Sequence, residues 1–416
     1  MRKTERRLTL FSLALGLVGL SLVCLARGFD LAVLAAGAAL SGAILGVHAF
    51  LRWQCPSADE FLLPIVSLLT GLGLVIIFRL SPEQGRAQFL WVALGLLGLA
   101  ATVRWVPDVE RLQEYPYLFG VAAGLLVLLP LVPGIGREIH GARLWVALGP
   151  LQFQPAELAK LGLVSFLASY LARRGRLLLA STGNLWGLPV PGMRYLGPLL
   201  LMWILALGLL ILEKDLGTAL LFFGLFMAMT YAASGRVAYV VLGLLLFVGG
   251  ARVCYSHFHH VQVRIQTWLN PWSDIDRTGY QITQSLFALE AGGLFGRGLG
   301  FGRAGTIPEV TTDFPFAALV EELGLLGGAA IILLYSFLFF RAGVVAVEAP
   351  TPFIALLAAG LGSIIALQSF IIIGGVVKLI PLTGITLPFI SYGGSSTFTN
   401  FLLVGLLLRA SERRAT

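Results

Sequence analysis

Twelve times along this chain, a stretch of about twenty residues passes almost without a charge. The runs fall at about 8–26, 31–51, 61–78, 87–103, 115–133, 154–172, 195–212, 216–235, 237–256, 316–340, 353–377 and 388–408. Each is close to the roughly 17–25 residues that a helix needs to cross the hydrocarbon core of a bilayer. Backbone in hydrocarbon must satisfy its own N–H and C=O groups, and the alternating polar residues of a β-barrel are missing, so the runs are expected to be helices. The expected fold is all-α: a polytopic integral membrane protein of about twelve spans.

Composition agrees. Hydrophobic residues make up 57% of the 416 and charged residues only 12%, about half of what a soluble domain carries. The net charge of +8 does not point to nucleic acid, because the basic excess sits in short polar segments beside apolar runs, as in cytoplasmic membrane loops. The strongest segments are Arg2–Arg7, then Arg173, Arg174, Arg176 and Arg194, then Arg409, Arg413 and Arg414. Six runs separate each segment from the next, so all three fall on one side, which the positive-inside rule makes cytoplasmic. The basic N-terminus before an apolar run resembles a signal peptide, but no small-residue cleavage site follows, and a retained first span is expected. Cys24, Cys55 and Cys254 are too scattered for a disulfide framework.

This orientation puts the segments 134–153, 213–215, 257–315 and 378–390 on the outer side. The 257–315 segment is long and rich in aromatic, polar and glycine residues, including Trp268, Trp272, Tyr280 and Phe287. A long loop with such content is expected to be structured and functional.

Ionisable residues at membrane depth are costly, and each is therefore a functional hypothesis. Glu157 and Lys160 begin one apolar run three residues apart, on one helical face; they read either as a site or as a structural ion pair. Glu213, Lys214 and Asp215 link two runs tightly, with helix capping the favoured role for Asp215. Asp313 ends the long loop where the next run begins. Restricted water there would raise its pKa toward the range of a general base, while an N-cap role is the structural alternative. Glu321 and Glu322 lie about two turns deeper, and stability alone is a poor explanation for adjacent carboxylates in a span. Ser391, Tyr392, Gly393, Gly394, Ser395 and Ser396 break the last run with glycines and hydroxyls, a pattern tolerated where backbone lines a cavity or packs on a neighbour. The glycines between Gly293 and Gly305 follow no strand and do not form a nucleotide fingerprint. Cys254, His257, His259 and His260 fit no standard zinc spacing.

Several stretches, in order, resemble the SEDS (shape, elongation, division and sporulation) family. They are Trp145 to Gly149, Gln154-Pro-Ala-Glu157-Leu-Ala-Lys160, Asp215 to Thr218, Asn270-Pro-Trp272, Gly279-Tyr-Gln281, Gln284-Ser285 and Gly292 to Gly296. Pro308-Glu309, Thr312-Asp313-Phe314, Glu321 to Gly324, Pro381 to Gly384 and Leu387 to Ser396 continue the series. The resemblance spans about residues 61–410. Ala156 stands where the family often has Ser, and Thr311 where it usually has His. The family core has ten spans, so the resemblance makes residues 1–58 an addition of about two N-terminal transmembrane helices and residues 59–416 the core.

The resemblance implies a peptidoglycan glycosyltransferase that polymerises lipid II at the outer face of the bacterial cytoplasmic membrane, in division or elongation, releasing undecaprenyl pyrophosphate. It places the catalytic Asp at Asp313. Trp145, Arg143, Gln154, Glu157, Lys160, Gln281, Glu309, Lys378, Ser391, Tyr392, Gly393, Ser395 and Ser396 are the expected substrate-binding residues. The leaving pyrophosphate needs cationic neutralisation, for which Lys160, Lys378, Arg143 or a divalent ion (magnesium or manganese) are candidates; no metal-ligand residues are assigned. The implied partners are lipid II, the undecaprenyl-linked glycan, membrane lipids and a class B penicillin-binding transpeptidase, with no nucleic acid. A lipid II flippase and a non-catalytic transpeptidase scaffold are the rival readings.

Overall fold

The computed structural model describes residues 2–27, 30–139, 142–148, 151–179, 183–185, 188–190, 208 and 215–412. The apolar run at 195–212, apart from residue 208, lies outside them, as do Arg194, Glu213 and Lys214. The other eleven runs are largely helical. Eight helices among the described residues are long and apolar enough to cross a membrane, and the chain is a multi-pass, predominantly α-helical membrane protein.

Two compact units emerge. The first comprises Met1–Pro107, Ile265–Arg341 and Gln368–Thr416; the second comprises Asp108–Arg264 and Ala342–Leu367.

The first unit opens with α1 (Lys3–Arg27), α2 (Leu31–Gln54), α3 (Leu62–Leu80) and α4 (Pro82–Trp105). Local chemistry sets their starts. Asp30 caps α2 by accepting from the amides of Ala32 and Val33, and Ser81 precedes Pro82 at the start of α4. Small residues let the helices close: the Cα of Gly71 on α3 lies 3.5 Å from where a Cβ on Gly16 of α1 would stand. A Cβ on Gly95 of α4 would come within 2.4 Å of the Phe401 ring. Gly95→Val should therefore overpack this contact and cost about 1–3 kcal/mol, read as a lower thermal unfolding midpoint of the detergent-solubilised chain.

At the basic ends of these helices, a polar knot ties distant segments. Arg2 pairs with Glu5 and donates to the carbonyls of Cys55 and Asp59, while His48 Nδ1 lies 2.8 Å from Glu5 Oε1. Arg341 pairs with Asp59 and stacks over Phe61, with its guanidinium 4.8 Å from the ring centroid. Burial, its largest influence, pushes the Cys55 thiol up to about 11, so it stays protonated and inert.

The long loop is structured, as its composition suggested. It contains α9 (His259–Leu269), whose last turns belong to the first unit, and α10 (Tyr280–Gly292). After α10 the chain runs through Gly293, Gly296, Gly298 and Gly300, all at positive φ, a conformation that glycine adopts without steric cost. This ribbon docks on α11 (Pro315–Val347) where Gly324, at φ 75° and ψ −179°, interrupts the helix. Across the break, Arg297 and Gly298 amides donate to the carbonyls of Glu321 and Glu322, and Leu325 and Leu326 amides donate to those of Gly293 and Leu294. The backbone groups freed by the break are thus re-satisfied inside protein, as non-helical backbone at membrane depth requires.

The carboxylates of Glu321 and Glu322 finish the same job. Glu322 pairs with Arg79 Nε at 2.8 Å and accepts from the Gly300 amide at 2.9 Å; Glu321 accepts from the Arg303 amide at 2.8 Å. Stability alone, a poor explanation from sequence, accounts for much of this pair: the two side chains clamp a glycine ribbon whose sequence lies about twenty residues upstream.

The last run also departs from a simple helix. Residues 381–393 are non-helical and α13 spans only Gly394–Ala410, because Pro381 and Pro388 lack a donor N–H and Gly384 sits at φ 76°. This strap is pinned by Tyr335, whose hydroxyl donates to the Pro388 carbonyl at 2.5 Å.

In the second unit, α5 (Pro116–Leu128) yields at Pro130 to a 3-10 turn, shortening the run at 115–133. Residues 134–153 are a further departure from an all-helical chain. β1 (Gly136–Ile139), β2 (Ala142–Leu148) and β3 (Leu151–Phe153) form an antiparallel sheet in the order β1-β2-β3. β3 feeds α6 (Pro155–Leu179), and α7 (Leu216–Ser234) and α8 (Val237–His257) follow. Asp215 takes the capping role expected of it, accepting from the Thr218 amide at 2.9 Å. α12 (Pro352–Val376) begins in this unit and ends in the first.

Candidate active site

Asp313 stands in a turn of the first unit, two residues before α11, and is half-buried. The Phe314 carbonyl receives the first helical bond from Ala318. Phe314, rather than Asp313, therefore occupies the N-cap position. The turn is closed upstream: the amides of Thr312 and Asp313 donate to the Glu309 carbonyl at 3.2 and 2.9 Å. Glu309 itself sits at φ 54°. A non-glycine residue at positive φ carries backbone strain on the order of 1 kcal/mol, and such strain collects at functional sites. Phe389 in the strap (φ 66°) and Lys378 before it (φ 62°) share this property.

The strap runs beside the turn. Ser391 Oγ donates to the Thr312 carbonyl at 2.6 Å and accepts from the Leu387 amide at 2.8 Å. The Tyr392 amide donates to the Thr311 carbonyl at 2.8 Å. Gly384 is so close that a Cβ there would lie 3.7 Å from Asp313 Oδ2. Further along, Thr386 Oγ1 donates to Ser396 Oγ at 2.7 Å, and Asn400 Nδ2 donates to the same oxygen at 3.2 Å. Ser395 is buried at the start of α13 and Gly393 precedes that helix. Burial, and secondarily the Glu83 carboxylate, push the Tyr392 phenol above its usual range. Tyr392 therefore stays neutral near pH 7 and can offer a hydrogen bond.

The structure thus joins Glu309, Asp313, Ser391, Tyr392, Gly393 and Ser396 in one construction. Lys378 lies elsewhere in the first unit: its carbonyl accepts from Trp268 Nε1 at 3.1 Å and its ammonium donates to the Leu269 carbonyl at 3.4 Å. Gln281 is in the first turn of α10.

The other five expected residues belong to the second unit. Trp145 and Arg143 are on β2, paired across the sheet with Arg137 and Glu138. Arg143 Nε lies 3.2 Å from Glu138 Oε2, and both side chains are exposed. Gln154 sits at the N-cap position of α6, its carbonyl accepting from the Glu157 amide at 3.1 Å. Lys160 Nζ lies 2.6 Å from Glu157 Oε2, with the lysine side chain 1% exposed. So deep an ammonium requires a carboxylate partner, which accounts for the pair structurally whatever else it does.

Sequence reasoning passed over two residues. Gln84 and Gln88 lie one turn apart on α4, and Gln88 is fully buried. Gln84 Oε1 accepts from Thr311 Oγ1 at 2.6 Å, and Gln88 Nε2 donates to Thr397 Oγ1 at 2.9 Å. For Gln88, a glutamine within an uncharged run was the available signal; Gln84, between Glu83 and Arg86, offered none. Among the described residues, no three His, Cys, Asp or Glu side chains cluster in a way that could hold a metal ion. His257, from the apparent Cys/His grouping, bonds instead to Ser256 Oγ at 2.8 Å.

Comparison with known proteins bears on the family of the chain. Residues 60–416 match the family described as "Cell cycle protein", that of FtsW, RodA and SpoVE. The peptidoglycan glycosyltransferase RodA of Mycobacterium tuberculosis is 42% identical over 88% of this chain and 80% of its own. The stage V sporulation protein E of Bacillus subtilis is 35% identical over 86% of this chain and 97% of its own. Among solved structures, a chain from a study of polymerization and crosslinking by a peptidoglycan synthase complex aligns with a TM-score of 0.69 at 29% identity, covering 85% of this chain and 97% of that one. The rod shape determining protein RodA of Thermus thermophilus aligns with a TM-score of 0.61 at 29% identity, covering 86% and 98%. The chain belongs to the FtsW/RodA/SpoVE family, the SEDS family that its motifs resemble.

Proposed function

We propose that this protein is a peptidoglycan glycosyltransferase that polymerises lipid II, with Asp313 as general base. The observation that carries the assignment of the base is the construction around Asp313: a half-buried carboxylate on a strained turn, held against a non-helical strap of hydroxyls and glycines. The Asp313 carboxylate takes the proton from the acceptor sugar hydroxyl as that oxygen attacks the anomeric carbon of the donor. The bond from that carbon to the pyrophosphate oxygen breaks, and undecaprenyl pyrophosphate leaves. The candidate cations for the leaving group are Lys160, Lys378, Arg143 or a divalent ion. Residues 1–58 precede the matched core as two additional helices, both termini are cytoplasmic, and the turn carrying Asp313 opens outward. The relatedness to a synthase-complex chain supports a class B penicillin-binding transpeptidase as partner.

The test is to give labelled lipid II to proteoliposomes holding the wild-type chain or Asp313→Asn, with and without a transpeptidase partner. Polymer from the wild type alone supports the assignment. Equal polymer from both removes Asp313 as base; lipid II moved across the bilayer without polymer makes the protein a flippase.

A further inference from the structure

Gln84 is tied to the turn that carries Asp313 by a short hydrogen bond, and it comes from a different element. Thr311, 5% exposed, donates its hydroxyl to Gln84 Oε1 at 2.6 Å. Thr311 also gives its carbonyl to the Tyr392 amide, and Thr312 gives its carbonyl to Ser391 Oγ. The two residues immediately before Asp313 are therefore held from two directions, by α4 through the Gln84 side chain and by the strap through the Tyr392 amide and the Ser391 hydroxyl. One turn further along α4, Gln88 donates to Thr397 at the start of α13 at 2.9 Å, and meets the strap more loosely at the Ser391 carbonyl and the Gly393 amide, each at 3.5 Å. The i, i+4 spacing of Gln84 and Gln88 puts both amides on one face, so a rigid helix is the common reference for turn and strap.

The Glu309 carbonyl closes the turn, but Glu309 is exposed and its backbone strained at φ 54°, so local bonds favour relaxation rather than fixity. We propose that Gln84 is a positioning residue for the reaction: through the Thr311 hydroxyl it fixes the register of the turn and so the reach of Asp313 toward the acceptor hydroxyl. This rests on Asp313 being the base. It predicts a loss in turnover rather than in substrate binding, because displacement of a catalytic group by about 1 Å costs up to about 10²-fold in rate.

The experiment measures lipid II polymerisation by the full-length chain carrying Gln84→Leu, Thr311→Val, both together, or the conservative Gln84→Glu and Thr311→Ser. Asp313→Asn is run beside them, and the thermal unfolding of each is recorded. Each disruptive single variant should lower kcat about tenfold with KM within about twofold. The double variant should be no worse than the singles, because both cut the same bond. Gln84→Glu keeps the acceptor and Thr311→Ser the donor, and both should hold kcat within about threefold of wild type. The inference is overturned if Gln84→Leu and Thr311→Val turn over normally while Asp313→Asn is inactive. It is also overturned if losses appear in KM, multiply in the double variant, or persist in the conservative variants. An active Asp313→Asn would instead remove the base on which the inference stands.

Discussion

Asp313→Asn should lower the rate of lipid II polymerisation by about 10²–10⁴-fold without changing the thermal unfolding of the protein. Asn matches the carboxylate in shape, so packing beside Gly384 is retained, and it can still take part in hydrogen bonds. It has no proton affinity in the useful range, so the acceptor hydroxyl would attack undeprotonated. Neighbours cannot substitute: Ser391 is committed to the Thr312 carbonyl and Tyr392 is held neutral. A variant that unfolds early would point to a structural carboxylate instead, and one that polymerises normally would exclude proton abstraction by this residue.

Glu322→Gln has the largest expected effect on stability. The Glu322 carboxylate is 2% exposed and joins Arg79 to the amide of Gly300. Arg79 in turn reaches the carbonyls of Gly300 and Gly302. Neutralising Glu322 leaves a largely buried guanidinium without its matching charge, a change that costs about 3–5 kcal/mol. The glycine ribbon should loosen and the unfolding midpoint fall. The double variant Glu322→Gln/Arg79→Met removes both charges and should regain part of the loss, since no unpaired buried charge remains and the glutamine oxygen can still accept from the Gly300 amide. Unchanged unfolding in the single variant would show that the clamp contributes little.

What could be read from the sequence follows the range of the physics. Spans such as Leu62–Leu80 declare themselves because hydrocarbon imposes a local requirement on every consecutive residue. The Asp215 cap is legible for the same reason, since donor and acceptor lie three residues apart. Asp313 was legible as a candidate from its place at the end of a long loop. The role of Glu321 and Glu322 was not, because their partners Arg79, Gly300 and Arg303 come from separate parts of the chain. The sheet at 136–153 was hidden too: its strands are short, and pairing such as Arg137 with Trp145 emerges only once the chain has turned back. Gln84 shows the same limit, since nothing near it in sequence foretells Thr311.

The most direct measurement of the central claim is the fate of lipid II supplied to the purified chain alone in a bilayer. The account predicts long glycan strands and free undecaprenyl pyrophosphate. Lipid II recovered intact, whether moved across the bilayer or left in place, would contradict it.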